Sequence, residues 1–479
     1  MMSRTLYNSL AVLNLTNLPM KTLLFWTTAA LSLQMAAQQP EIQYFRYRDQ
    51  RGVNVFETTK KNDVRFDGVK VRIGGNFAQQ FQAMTHSNGW ASDQSIPALY
   101  KVTPGFNNAT ANLNFDVQLE DGIRVALENY MSARHHNEFW VKGGYIQMDK
   151  LPFLGNPDWY TNHFTTRIGH FQPNYGDMQF RRSDNGNAMY NPFIENSLMD
   201  AFTTEIGGDL RYESGPLFAV VGMTAGLISG DIADKGYVKA TGASDSIQLK
   251  KGPSVLAKIG YDERVSDEVR VRLTASIYHN ALTSRNTLYA GDRAGSRYYM
   301  MLEPAMNGAV ASTATTNFTS GRINPGFTNQ VTAVMINPFV ELGDLELFGM
   351  IEFAQGASTG DLMNVDGVST FERRAVSQYM AEALYRFADD QFYIGGRYNT
   401  ASGQFYTQKN YAADASLGNQ RVDRFELGGG WFMTKNLLIK AAYINQNYKG
   451  FDLKTAGLLS DVRNNGAFNG VMLEAVVGF

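Results

Sequence analysis

The stretch Asn108-Ala-Thr-Ala-Asn-Leu-Asn-Phe-Asp-Val-Gln-Leu119 alternates without a break between polar and apolar side chains. Successive side chains of a β-strand point to opposite faces, so this pattern predicts a strand of about eleven residues with one polar and one apolar face. Glu120-Asp121-Gly122 then gives a tight-turn signal, and the alternation resumes at Ile123. The sequence therefore predicts two long amphipathic strands joined by a short turn.

The same alternation recurs along the chain, and the connectors between the alternating segments are by turns short and long. Two segments alternate poorly. Residues 217–227 are nearly all apolar, and residues 331–342 show no regular change between polar and apolar side chains. The count favours sixteen strands, with fourteen or eighteen as alternatives. We expect the strands to start near residues 68, 106, 123, 138, 165, 202, 217, 252, 268, 330, 345, 375, 391, 422, 437 and 468.

Strand length and connector length together indicate the fold class. Strands of about ten residues that alternate between apolar and polar are typical of transmembrane β-barrels, whereas strands in soluble sandwiches are usually about five or six residues long. Only a closed barrel pairs every backbone group of a sheet within lipid. We therefore predict an all-β chain that forms a transmembrane antiparallel barrel, with short periplasmic turns, long external loops and an apolar outer face.

Composition excludes several classes of function. The chain has 479 residues with 43 Lys and Arg against 45 Asp and Glu, so its formal net charge of −2 gives no reason to expect a nucleic-acid partner. It contains no Cys, which excludes disulfides, thiolate metal sites and Cys nucleophiles. Charged residues make up only 18% of the chain, against about 25% in soluble domains.

The N-terminal region reads as a targeting segment followed by an extension. A signal peptide over residues 1–37 is predicted from Lys21, the apolar run over residues 23–35 and the small residues near Ala37. Met20 is an alternative start of translation, in which case residues 1–19 would not belong to the protein. Residues 38–67 are predicted to be a periplasmic extension, and residues 68–479 the outer-membrane barrel. The extension contains Tyr44-Phe-Arg-Tyr-Arg-Asp-Gln-Arg-Gly52, so a lumen plug and an edge-pairing segment remain alternatives.

Two motifs resemble the phosphate-selective porin O and P family. Arg167-Ile-Gly-His-Phe-Gln-Pro-Asn-Tyr-Gly176 is similar to the motif by which that family passes from a strand into its third external loop. Gly428-Gly-Gly-Trp-Phe-Met-Thr-Lys-Asn-Leu-Leu-Ile-Lys-Ala-Ala-Tyr443 resembles its last hairpin, and the chain ends in Phe479, as the assembly signals of outer-membrane proteins do. The resemblance implies a sixteen-stranded barrel, often trimeric, whose third loop folds into the lumen.

The charges predicted to face the lumen depart from an arginine ladder. Acidic residues such as Asp116, Asp209 and Glu474 are interleaved with the basic ones, which is typical of a transverse field or of ion pairs between strands. The pattern therefore favours a general porin over phosphate selectivity. We expect the constriction and pore lining to involve Arg181, Arg182, Asp177, Asp184, Arg167, Lys70, Arg72, Arg124, Arg211, Lys258, Arg270 and Arg272.

The predicted function is passive diffusion of small hydrophilic solutes or ions, phosphate among the candidate anions, across the outer membrane of a Gram-negative bacterium. No catalytic residue, metal or other cofactor is expected; the expected partners are outer-membrane lipid, the solutes, the barrel-assembly machinery and two further copies in a trimer. The alternative is a plugged barrel that acts as a surface interaction protein or a lipid-modifying enzyme. Candidate residues for that chemistry are His86, His136 and Glu138 as metal ligands and His279 with Ser276 or Ser284 as a nucleophile pair.

Overall fold

Sixteen antiparallel strands form one closed barrel in which each strand pairs with its neighbours in the sequence and the last pairs back onto the first. The computed structural model describes residues 39–62, 64–135, 138–227, 237–239, 246–248, 252–365, 368–454 and 460–479, so the predicted signal peptide lies outside the described residues. The predicted fold class is confirmed. The strands are β1 Lys70–Ser87, β2 Gly105–Glu120, β3 Ile123–Ser132, β4 Trp140–Met148, β5 Phe164–Phe171, β6 Glu205–Ser214, β7 Leu217–Thr224, β8 Ser254–Ser266, β9 Val269–Asn280, β10 Gln330–Leu342, β11 Leu345–Ala357, β12 Arg374–Phe387, β13 Phe392–Gly403, β14 Gln420–Thr434, β15 Leu437–Lys449 and β16 Ala467–Gly478.

Short turns and long loops alternate around the barrel, as the connector lengths predicted. The first strand starts and the last strand ends at the rim that carries the short turns, which we call the lower rim. The longest of its connections, between β4 and β5, contains the one-turn helix α1 (Asp158–Thr161). A second short helix, α2 (Gln408–Ala413), and three two-stranded hairpins lie in the long loops of the other rim.

The two faces of the barrel wall differ in the way that the alternation predicted. Along β2, each polar residue from Asn108 to Gln118 is buried inside the barrel, and the apolar residues between them are partly exposed on the outside. Large apolar side chains such as Ile259, Val221 and Ile394 are more than half exposed on the outer wall. An outer face of this kind is stable where hydrocarbon, not water, covers it.

Among the described residues, no helix is long and apolar enough to cross a membrane.

The two segments that alternate poorly are those whose inner faces pack against apolar material in the lumen. In β10, Val331, Ala333, Met335 and Phe339 point inward and are buried in the largest apolar cluster. Phe339 packs edge-on against Phe56, with 5.3 Å between ring centroids. Both faces of β10 are therefore apolar, because one contacts the surroundings of the barrel and the other contacts the chain that fills it.

Candidate channel constriction

The long loop between β5 and β6, residues 172–204, folds into the lumen; we call it L3. Most of its side chains are buried although it belongs to no strand. The loop begins with the Arg167–Gly176 motif, and Gly176 has a φ of +67°, a backbone conformation that favours glycine. A Cβ on Gly176 would lie 2.2 Å from the Met335 sulfur, so any other residue would also have to displace this side chain of the wall.

L3 keeps its shape through its own polar side chains. The Asn196 side chain accepts from the Ser183 backbone N–H at 2.8 Å and donates to the Ser183 carbonyl at 3.0 Å, joining the two arms of the loop. The Arg182 guanidinium donates two hydrogen bonds to Asp200, at 3.0 and 2.7 Å. The adjacent arginine holds the pKa of Asp200 at about 2, although burial opposes its charge. A preformed loop of this kind can hold a constriction of fixed size.

Basic side chains of the barrel wall anchor L3 by binding its backbone carbonyls. Arg397 and Arg424 each donate at 2.6 Å, to the carbonyls of Glu195 and Asn196. Lys440 donates to three further carbonyls of the loop, the shortest of these bonds being 2.9 Å. Arg181 of L3 extends in the other direction and pairs with wall carboxylates on β11 and β12 at 2.5 and 3.1 Å. Many of the inward-facing cations therefore fix the loop in place.

Asp177 is the centre of a buried cluster that fastens the start of L3 to β8 and β9. Its carboxylate accepts from Lys258 at 2.6 Å, from Arg272 at 2.8 and 2.9 Å, and from the Thr274 hydroxyl at 3.0 Å. Glu57 binds the same two cations, at 2.8 and 2.6 Å. Burial opposes both negative charges, but Lys258 and Arg272 hold the pKa values of Asp177 and Glu57 below their ordinary range.

Residues 42–61, which we call the N-terminal segment, cross the lumen just inside the lower rim. Arg48 pairs with Asp116 of β2 at 2.7 Å, and the Asn54 side chain donates to Glu346 of β11 at 2.7 Å. Glu57 reaches β8 and β9 as described above, and Lys60 donates to the Phe164 carbonyl of β5 at 2.6 Å. These contacts connect the segment to widely separated parts of the wall.

A cleft remains between L3 and the wall formed by β3 to β7. It consists of two cavities of about 220 and 160 Å³ that share several lining residues, among them Arg46, Tyr145 and Arg167. Its lining includes seven cationic side chains and four carboxylates. The cations are Arg46, Arg48, Arg124, Lys142, Arg167, Arg182 and Arg211, and the carboxylates are Glu57, Glu128, Asp184 and Asp209.

Most of the cations along the cleft are held in ion pairs. Arg48 and Arg124 share Asp116 from opposite sides, at 2.7 and 2.6 Å. Arg167 binds Asp209 through two nitrogens, one of them at 3.0 Å. The remaining pairs are Lys142 with Glu128 and Asp184, Arg182 with Asp200, and Arg211 with Glu213. The lining of the cleft is therefore made largely of paired charges.

The predicted site residues separate into three groups. Arg124, Arg167, Arg182, Arg211 and Asp184 line the cleft. The anchoring contacts described above bury a second group: Asp177, Arg181, Lys258 and Arg272. The third group lies near the lower rim: Lys70 pairs with Asp67, Arg72 packs over the Phe45 and Tyr47 rings, and Arg270 pairs with Asp262.

Sequence reasoning missed three cations of the cleft: Arg46, Arg48 and Lys142. The two arginines belong to the basic aromatic stretch at the start of the N-terminal segment. The sequence shows that this stretch is unusual but not where it lies relative to the barrel. Lys142 is the β4 residue left unpaired at a register shift, where Glu128 of β3 is opposite Gly143 and Asn129 is opposite Val141, so simple alternation could not assign its face.

The described residues among those proposed for the enzyme alternative do not assemble. Ser276 faces the lumen and donates to the Met335 carbonyl, while His279 is on the opposite face of β9 and contacts Thr332. Both ring nitrogens of His86 are bonded to backbone groups, and His136 lies outside the described residues. Within the described part of the chain, no group of three or more His, Cys, Asp and Glu side chains could hold a metal ion.

The C-terminal residue closes the barrel. The Phe479 N–H donates to the Gly75 carbonyl at 3.0 Å, and the Gly75 N–H donates back to the Phe479 carbonyl at 3.2 Å. The Phe479 ring is about half exposed on the outer wall at the lower rim.

No family model matches the chain, and no curated protein matches it. Solved structures do resemble it. One is an anion-selective porin from Comamonas acidovorans, with 11% identity, coverage of 86% of this chain and 100% of that chain, and a TM-score of 0.47. Another is the outer membrane channel DcaP of Acinetobacter baumannii, with 12% identity, coverage of 87% and 99%, and a TM-score of 0.47. OprB of Pseudomonas putida has 9% identity, coverage of 86% and 94%, and a TM-score of 0.47.

Proposed function

We propose that this protein is an outer-membrane porin that lets small hydrophilic solutes diffuse passively and favours anions over cations. The observation that carries the proposal is the cleft between L3 and the wall of β3 to β7, where, among the described residues, six of the seven lining cations are paired with carboxylates and the seventh, Arg46, is not. An ion in such a passage is influenced by every charge that lines it, because low-dielectric walls screen the charges weakly.

The apolar outer wall supports a location in the outer membrane, and the unequal connectors support an orientation of the barrel within it. A closed barrel with an apolar outer face belongs in a lipid bilayer, and its short turns are expected on the periplasmic side, with the long loops outside the cell. The segment before β1 then starts in the periplasm, from which it enters the lumen at the lower rim.

The test is the current through single channels of the purified protein in a planar bilayer, with a tenfold salt gradient across it. We expect a small, stable conductance and a reversal potential that favours chloride over potassium. A reversal potential that favours potassium would contradict the anion preference but would still agree with a porin. Competition of phosphate with chloride current then tests whether phosphate is among the preferred anions.

A second candidate is a barrel that is closed at rest. The observation favouring it is the filling of the lumen by L3, by the N-terminal segment and by the loop of residues 281–329, where Arg297 binds Asp292 at 2.8 Å and the Asn185 carbonyl at 2.6 Å. Folded protein without conductance would favour this candidate, and with it the role as a surface interaction protein. Migration of unheated and heated protein in a gel distinguishes folded from unfolded barrels in that experiment.

A further inference from the structure

The N-terminal segment contributes a side chain to the cleft that differs from all its cationic neighbours. Arg46 lines both cavities, so it lies where they meet. Its Nε and Nη2 groups donate to the Gly52 carbonyl at 3.1 and 2.9 Å, and Nη2 also donates to the Phe180 carbonyl at 2.9 Å. The guanidinium stacks on the Tyr190 ring, with 3.7 Å from its central carbon to the ring centroid.

These contacts hold Arg46 in place without neutralising it. In the part of the chain that the structure describes, each of the other six cations lining the cleft has a carboxylate partner, whereas the hydrogen-bond acceptors of Arg46 are two backbone carbonyls. Its Nη1 group donates to no atom among the described residues. Burial lowers the pKa of Arg46 to about 10, against the attraction of the Tyr190 hydroxyl and the Glu57 carboxylate, so the side chain still carries a full charge at neutral pH.

We infer that Arg46, supplied by the segment that precedes the barrel, is the residue that determines the charge selectivity of the channel. The inference rests on the proposed function. A cation that is already paired adds little net field, because its partner cancels most of the charge a passing ion experiences. An unpaired cation at the junction of the two cavities acts on the ion directly and offers free N–H donors to a small anion. The charge that determines the selectivity of this barrel would then be carried by neither a wall strand nor L3.

The packing also explains how the N-terminal segment, which contains no strand, can hold a charge at a fixed position. Tyr190 and Phe180 of L3 flank the guanidinium, and the segment on either side of Arg46 is bound to the wall. The Gln43 backbone N–H donates to the Gln118 side chain at 2.9 Å, and Arg48 pairs with Asp116 at 2.7 Å. The charge is therefore placed by two independent parts of the structure.

The experiment compares Arg46→Gln, Arg46→Lys and the matched control Arg51→Gln in the bilayer assay. Arg51 belongs to the same segment but is paired with Asp49 at 2.6 Å and is partly exposed. We expect Arg46→Gln to lower the anion-to-cation permeability ratio by about threefold to tenfold, the range for one unit charge in a partly hydrated passage. Arg46→Lys and Arg51→Gln are expected to keep the ratio of the unmodified protein.

Because the chain contains no Cys, Arg46→Cys offers a second measurement that does not depend on how well the glutamine variant packs. Attaching a cationic thiol reagent to that position is expected to restore the anion preference, and an anionic reagent to reverse it. An unchanged permeability ratio in Arg46→Gln and in both labelled proteins, in a channel that prefers anions, would overturn the inference but leave the proposed function intact. Folded protein without any conductance would overturn both.

Discussion

Removing the charge of Asp177 tests whether the anchoring of L3 contributes substantially to the stability of the barrel. The substitution Asp177→Asn preserves the shape of the side chain but leaves Lys258 and Arg272 with one fewer negative partner in a buried site. Removing one member of a buried ion pair typically costs about 3–5 kcal/mol. Glu57 still binds both cations, at 2.8 and 2.6 Å, so we expect a smaller loss of about 2–3 kcal/mol in the free energy of unfolding.

The assay is equilibrium unfolding by guanidinium in lipid vesicles, followed by Trp fluorescence. The matched control is Asp423→Asn, which removes a carboxylate paired with Arg421 at 2.8 Å on the outside of the same barrel, where Arg421 is about half exposed. Exposed pairs contribute about 0–1 kcal/mol, so the control should remain close to the unmodified protein. Equal free energies of unfolding for the two variants would refute the view that the Asp177 cluster anchors L3.

Three further predictions concern other parts of the molecule. Arg181→Ser removes one cation from two buried wall carboxylates, Glu346 and Glu382, which keep Arg386 and Arg397 as partners at 3.0 and 3.4 Å. We therefore expect it to lower the free energy of unfolding by about 2–3 kcal/mol but to leave the reversal potential unchanged; a changed potential would place Arg181 in the passage instead. Deleting Phe479 removes its two backbone hydrogen bonds to Gly75, and should reduce the amount of folded barrel in membranes; normal amounts would argue against an assembly signal. Burial raises the pKa of Glu303 to about 7, although Ser320 donates to it at 2.8 Å. Its unfolded pKa is about 4.3, so the stability it contributes is present below that pH and is lost as the pH rises through 7. The protection factors of its loop amides, which are corrected for the intrinsic pH dependence of exchange, should therefore be lower at pH 8 than at pH 5, and Glu303→Gln should abolish that difference.

Alternation predicted the barrel well because it depends on an elementary property of strands. In β2 every second side chain is polar, and the wall separates the two sets without help from the rest of the chain. Alternation alone was insufficient for β10, whose inner face is also apolar. That face packs against Phe56, and nothing in the sequence of β10 indicates this contact.

The candidate site was predicted less completely. The charges interleaved along the strands indicated ion pairs, and the Arg167 pair with Asp209 is one that neighbouring strands form. Which cations line the cleft depends on how L3 and the N-terminal segment occupy the lumen. Arg181 and Arg182 are adjacent in the sequence, yet the first is buried against the wall and the second lines the cleft.

The sequence by itself determined the fold class and the unequal connectors and favoured sixteen strands, because these follow from local periodicity and turn chemistry. Only the tertiary structure decided the position of Arg46. The residues that hold it, Phe180 and Tyr190, lie more than a hundred positions along the chain, and the segment that carries it has no periodic pattern. Local sequence specifies which faces of a strand meet lipid or the lumen, whereas the content of the lumen results from contacts between distant segments that no local pattern encodes.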